Sequence, residues 1–581
     1  MTDAHASVPA IVLGHWHRAA DREAVRYKRH GSWHSVTWDE LATQVAALAH
    51  SLKGIGIGES SVVGLLGDNC YEWIVADLAT QSLGASSLFM PRMPTGRMAA
   101  SLESTELSIV FCKDQGDVED LLGCGRSPQP AVVVVDPTGC STLGDDLREF
   151  RTYGDLLGDV RDAKSGADAL SEFSPSFAAG GALRTEAAGR RAAAASRLSA
   201  AELHAAARIG ATWLELSARD RVFCATPFSN AASYFLDVYS ALFAGTTICL
   251  PESPLSVLAD LREVRPTVVC LPPRGLDLLR STSEDRAARS ARGRAWTYRT
   301  AMRRLGALVS GARPAIASRR NASYLLVGRF VLRQLGLGNA RRIVAVGAAG
   351  CEETRIFFAS LGVIPTAAYG DARTRGFVVA GKDSEAVSPV PGLRARVRSG
   401  RHLEVLWEGS GQEWLDTGLT VDPLDDSTYR LIGARDDEFE VNDVVVAPAP
   451  IERGFQKSRL VRRAVVVAYR GSMAAFLELD ADGVRSWAAE HQVPAGSLQA
   501  LSRHDLVRRE LWELVERVNA SFCPPGVEIV LALPLPRQLN EHEGELDSVQ
   551  RAVRSTVERH FADSLSTGIT AAGWEVLGSP A

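Results

Sequence analysis

Short apolar runs that alternate with stretches of helical periodicity restrict the fold of this chain more than any other feature. Residues 61–66, SVVGLL, form an almost wholly apolar run, as expected of a strand covered on both faces. Residues 70–85, CYEWIVADLATQSLGA, have the length and spacing of a helix that closes on Gly84. Apolar runs return at 109–112 (IVFC) and 131–135 (AVVVV). Upstream, residues 25–36 alternate about a Gly-Ser turn, the pattern of a hairpin. Thr37 then stands as an N-cap with Glu40 three residues on, ahead of an apolar face at Leu41, Val45, Leu48 and Leu52. Strands alternating with helices predict a layered α/β domain with a largely parallel sheet.

At 581 residues the chain exceeds one ordinary core, so two or three domains are expected. Its net charge of −5 argues against a general nucleic-acid binder despite local Arg-rich patches. Nine cysteines without CxxC spacing fit reduced thiols and a cytoplasmic location. The first residues lack the pattern of a signal peptide, and no apolar stretch reaches the roughly 18 residues of a membrane span. Residues 165–201 stand apart from their surroundings, and their later part runs into a low-complexity stretch rich in Ala, Gly and Arg (178–203), with helix expected from about Ala187 or from Ala200. Strands are expected at 246–250 and 267–271, and exposed helices over the Arg-rich 280–320. The C-terminal part shows strand patterns at 464–469 and 474–479, then helices at 506–519 and about 548–564.

Several stretches carry a resemblance. RYKRHGSWHSVTWDEL (26–41), DNCYEWIVADLATQSLGA (68–85), LGLGNARRIVAVGAAG (335–350) and GARDDEFEVNDVVVAPAPIE (433–452) resemble bacterial long-chain acyl-CoA synthetases. These belong to the adenylate-forming, AMP-binding ligases. The resemblance implies a large N-terminal acyl-adenylate-ligase domain of layered sheets and helices, residues 1–432. It also implies a small C-terminal α+β lid domain, residues 433–581.

The family's nucleotide motifs are altered one after another. Where the family reads YGxTE, with Thr on phosphate and Glu on Mg²⁺, this chain reads Tyr369-Gly370-Asp371-Ala372-Arg373. The Gly/Ser/Thr-rich triphosphate loop corresponds to TEAAGRRAAAAS, residues 185–196, which lacks the Lys and most hydroxyls. Asn230 stands at the His of LPLxHxxG, in Thr226-Pro227-Phe228-Ser229-Asn230, and is also a plausible plain turn residue. Leu419 replaces the ribose-binding Asp of TGD, Gly433-Ala434 replaces the hinge GR, and Asp437 remains as a hinge residue. Arg551 stands at the catalytic Lys, keeping charge but changing geometry. Cys351 and the histidines His15, His17, His30 and His34 are read as structural rather than reactive or metal-binding.

The framework survives while its nucleotide ligands do not. No cofactor is therefore expected, ATP and Mg²⁺ binding being lost, and no metal. The expected pocket is Phe228, Ser229, Tyr234, Gly347, Tyr369, Gly370 and Asp371, with Arg373, Asn230 and Arg551 as catalytic groups. The expected partner is a hydrophobic acyl-type small molecule, free or carried on a carrier protein or CoA. Three readings stay open: ATP-independent chemistry on an acyl, thioester or polyketide-like molecule in secondary metabolism; a non-catalytic binding or scaffold protein; and an ATP-dependent ligase with unusual ligands.

Overall fold

The computed structural model describes residues 7–92, 98–99, 105–125, 130–140, 150–158, 166–177, 182–185, 196–290, 296–302, 322–347, 352–371, 374, 376–382, 385–407, 414–540, 543–547 and 551–567. They divide into two compact units. The first holds the described residues up to Ala395 together with Glu404–Thr417, and the second holds Arg396–Leu403 and the described residues from Gly418 onward.

The alternation in the N-terminal part produces the parallel sheet it predicts. Its strands run in the order Phe150–Thr152, Ala131–Val134, Ile109–Cys112, Val62–Leu66, Ser86–Met90, Ala182–Thr185 and Ser196–Arg197. Every neighbour is parallel except the last pair, an antiparallel hairpin that flanks residues 186–195. Those ten positions, which include most of the altered triphosphate loop and the expected helix start at Ala187, lie outside the described residues. A helix does begin at Ala200 and runs to Trp213, capped by Ser199 and Glu202.

Packed within the same unit is a second, larger sheet. It includes Val387–Pro389, Gly376–Gly381, Thr366–Asp371, Arg342–Val346, Val268–Leu271, Arg221–Cys224, Thr247–Leu250, Glu23–Arg29 and Ser32–Thr37 as successive neighbours. The six strands from Thr366–Asp371 to Glu23–Arg29 are parallel. The N-terminal hairpin turns at His30-Gly31, both with positive φ (49° and 75°), one residue earlier than the Gly-Ser turn expected. The capping box at Thr37 is present: Thr37 Oγ1 accepts from Glu40 N–H, and Glu40 accepts from Thr37 N–H at 2.8 Å. It starts the Trp38–Gly54 helix, which buries Trp38, Leu41, Val45, Leu48 and Leu52. The Tyr71–Ser82 helix is buried on every side, so its polar residues must find partners inside the protein.

The N-terminal ends of three central strands are tied by one hub. Asp220 accepts from Arg341 Nε at 3.0 Å and Nη2 at 2.9 Å, from Thr267 Oγ1 at 2.7 Å and from Ser217 N–H at 2.8 Å. Burial alone would raise this carboxyl, but the Arg341, Thr267 and Ser217 bonds prevail and hold it at about 2.

The second unit is α+β. Its sheet joins Val461–Tyr469, Ser472–Leu479 and Ile529–Pro534. Alternation along the strands sends Ala464, Val466 and Leu477 to a core with the Pro448–Gln456, Ala481–Glu490 and Asp505–Phe522 helices. Val465, Val467, Phe476 and Leu533 pack instead with Val557 and Phe561. The expected terminal helix is shorter, Arg554–Phe561, and Arg551 precedes it in a turn closed by a Leu546–Ala552 bridge. No described helix is long and apolar enough to cross a membrane.

Candidate functional site

Parallel strands leave their C-terminal ends on one edge of a sheet, the edge where α/β folds place ligands. In the larger sheet three such ends carry expected site residues. Loop 225–230 follows Arg221–Cys224, Gly347 follows Arg342–Val346, and Tyr369-Gly370 lies near the end of Thr366–Asp371. Gly347 adopts φ +82° and its N–H donates to Ala368 O at 2.8 Å, joining two of those ends. Gly370 is required by close approach, because a Cβ there would stand 2.1 Å from Gly376 O. Tyr369 is buried, and Asp371 is the last residue of its strand. The short Ala231–Tyr234 helix packs against the Thr366–Asp371 and Gly376–Gly381 strands. Phe228, Ser229 and Asn230 thus lie on the same sheet edge as Tyr369 and Gly370, with two strands between, and the helix that ends at Tyr234 reaches the Thr366–Asp371 strand. Ala372, Arg373 and Cys351 lie outside the described residues.

Loop 225–230 is held by a residue that sequence reasoning did not single out. Asn69 donates from Nδ2 to Thr226 O at 2.8 Å and accepts at Oδ1 from Phe228 N–H at 2.7 Å. Asn230 behaves as a cap: its Oδ1 accepts from Ser233 N–H at 3.0 Å and from Ser233 Oγ at 2.9 Å. Its acceptor is thereby engaged, while its Nδ2 hydrogens carry no described bond. The hydroxyls of Thr226 and Ser229 are buried without a hydrogen-bond partner, so this loop presents two polar groups in want of one.

Tyr234 is committed elsewhere. Its hydroxyl donates to Asp77 Oδ2 at 2.9 Å, Tyr239 donates to the same oxygen at 2.8 Å, and Gln81 Nε2 donates to Asp77 Oδ1 at 2.9 Å. Burial raises the Asp77 carboxyl above its ordinary range, and the Gln81 and Tyr239 bonds oppose that rise. The Tyr234 ring packs between Phe89, at 4.5 Å, and Phe228, at 4.8 Å. Asp77 and Gln81, four apart on a largely apolar helix, were the available signal.

Next to this network the chain forms a π-helical segment, Phe235–Tyr239. Ser240 Oγ donates to Phe235 O at 2.8 Å. Asp237, within the segment, is fully buried and neither carboxyl oxygen has a hydrogen-bond partner; the Cys270 thiol beside it is a weak donor. Desolvation pushes this carboxyl up to about 8.

The remaining expected residues belong to the second unit. Leu419 pairs with Ala434 across an antiparallel ladder, and an aliphatic side chain there offers a ribose diol no acceptor. Asp422, its acidic neighbour, forms an ion pair with Arg401. Arg435–Asp437 is a single 3₁₀ turn, and Asp437 acts electrostatically on buried Arg554, which binds Glu452 at 2.6 Å. Arg551 donates from Nε to Asp547 Oδ2 at 2.8 Å, so its charge is already paired. Among the described residues, Glu543, Glu545 and His560 also converge, but Arg537 bonds both carboxylates and supplies their counter-charge.

The family profile described as AMP-binding enzyme matches residues 14–159 and 195–411. The chain is 24% identical over 596 residues to Long-chain-fatty-acid--CoA ligase FadD15 of Mycobacterium bovis, covering 97% of this chain and 96% of that protein. The FadD15 of Mycobacterium tuberculosis matches at 24% over 601 residues with the same coverage. In structure, the adenylation domain of a carboxylate reductase from Mycobacterium chelonae superposes with TM-score 0.67 at 16% identity, covering 97% of this chain and 91% of that one. A benzoate CoA ligase from Burkholderia xenovorans gives 0.64 at 15%, covering 95% and 99%.

Proposed function

The chain belongs to the AMP-binding enzyme family, and we propose that within it this protein has lost ATP-dependent adenylation and works on an acyl, thioester or polyketide-like molecule without ATP. Leu419 carries the reading. At the position where the resemblance puts a ribose-gripping carboxylate, an aliphatic side chain leaves the diol hydroxyls unpaired, at a cost of roughly 1–3 kcal/mol for each buried group. Arg551, paired to Asp547, and Arg373, a cation where Mg²⁺ would be held, support the same reading. Substrate lies at the strand-end edge, against Tyr369, Gly370 and Phe228. The free Nδ2 of Asn230 and the guanidinium of Arg373 stabilise the oxyanion or enolate that develops on a carbonyl oxygen. No cofactor is needed for that role. All eight described cysteines are unpaired, in keeping with a reducing cytoplasm.

Calorimetric titration with Mg-ATP tests the reading: no binding is expected, and micromolar affinity overturns it. A second reading, an ATP-dependent acyl-CoA ligase with unusual ligands, draws on the names of the FadD15 relatives. Pyrophosphate release across a panel of fatty and aryl acids separates the two, because only a ligase produces it.

A further inference from the structure

A cavity of about 480 Å³ opens in the first unit between the Pro273–Ala288 helix, residues 296–302 and the Glu352–Ser360 helix. It shares no lining residue with the strand-end site, and its size suits a small molecule, for which about 300–1,000 Å³ is usual. Ala287, Met302 and Ile356 give it an apolar wall. Two aromatic rings line it in fixed positions. Tyr298 is held through its hydroxyl by Ser283 Oγ at 3.1 Å, and Phe357 is buried edge-on to Phe358 at 5.2 Å.

At the rim stands Glu353, exposed and without an ion pair or hydrogen bond among the described residues. Glu284, the other rim carboxylate, is shared with Arg280 at 3.0 Å. Arg299 is also at the rim but exposed, and its long stem lets the guanidinium stay in water. Aromatic rings beside an unpaired carboxylate can recognise an ammonium group, through cation–π attraction and direct charge pairing. An anion would meet the Glu353 carboxylate at the same rim.

We propose that this cavity binds an organic ammonium ion carried on an apolar chain, with the chain against Ala287, Met302 and Ile356 and the cation between Glu353 and the Tyr298 and Phe357 rings. The site is independent of nucleotide binding and stands or falls apart from the function proposed above.

The test is calorimetric titration of the full chain with n-octylammonium, 1-octanol and octanoate, which share one chain length and differ in head group. Octylammonium is expected to bind about tenfold tighter than octanol, the sum of an exposed cation–π contact and a surface ion pair. Glu353→Gln should cut that preference to about threefold, the share of the cation–π contact, and leave octanol affinity unchanged. Ala287→Trp should abolish binding of both, and Ala288→Trp, at an exposed position of the same helix, is the second blocking variant should the first unfold. Four results overturn the proposal: no saturable octylammonium binding, octanoate binding as tightly, a preference undiminished by Glu353→Gln, or binding that survives both tryptophan variants in folded protein.

Discussion

Asp237 couples the region beside the site to pH. In the unfolded chain its carboxyl titrates near ~4, whereas in the folded protein it keeps its proton up to about 8. The stabilisation tied to that proton is complete below the unfolded value and is lost as pH rises toward about 8, at up to ~1.4 kcal/mol per pH unit. Asp237→Asn should therefore melt like the parent at low pH and above it near pH 8, and thermal melts across that window would show it; parallel curves would refute it. Asp220 has the opposite sign, with stability present at neutral pH and lost only as pH falls toward about 2. Asn69→Ala should cost about 1 kcal/mol or more for each of the Thr226 and Phe228 groups left without a partner, read as a lowered melting temperature. Neither Leu419→Asp nor Arg373→Glu alone should restore Mg-ATP binding in calorimetry, because several ligands changed together. At Leu419, Ala434 and Arg551 the flanking motifs fix the place of each residue in the chain and nothing of its contacts. Asn69 and Asp77 were not legible, since nothing in a sequence says which backbone or hydroxyl a buried polar side chain will meet.

At the level of elements, local chemistry read well where it was self-contained. The Thr37–Glu40 box and the 61–66, 109–112 and 131–135 strands depend on neighbouring residues or on unbroken apolar runs, and they lie where those patterns place them. The final helix was read several residues too long because residues 551–553 form a turn whose Asp547–Arg551 bonds compete with helix. The π-helical Phe235–Tyr239 segment left no trace in periodicity, since one extra residue per turn shifts an apolar pattern that was apolar on all sides anyway. Joining of distant strands was equally hidden: Thr267 and Arg341 look like ordinary surface residues until Asp220 gathers them. Arg341→Ala should leave a largely buried carboxylate with only neutral donors, destabilising the protein by about 2–3 kcal/mol. The loss should grow between acidic and neutral pH as Asp220 ionises; a denaturation midpoint unchanged at neutral pH would remove the hub from the account.

For the whole molecule the decisive fact is that the second unit owns its hydrophobic interior. One cluster joins Val441, Val446, Ile451, Phe455, Val466, Leu477, Leu511 and Val515. The other joins Val465, Phe476, Leu533, Val557 and Phe561, so the sheet is covered on both faces from within the unit. Members of both clusters, including the partly buried Phe439, lie after Gly433. A fragment of residues 433–581 keeps all of them, and domains of about 150 residues bury enough surface to fold alone. Expressed by itself, it should be monomeric and helical by circular dichroism and should melt in one cooperative transition. Its buried Arg554–Glu452 pair supplies a check on native packing: Glu452→Gln should lower the fragment's melting temperature, because Arg554 would keep its charge in a buried place without its counter-ion. A fragment that is unfolded, or whose melting ignores Glu452→Gln, would mean that this interior requires the rest of the chain.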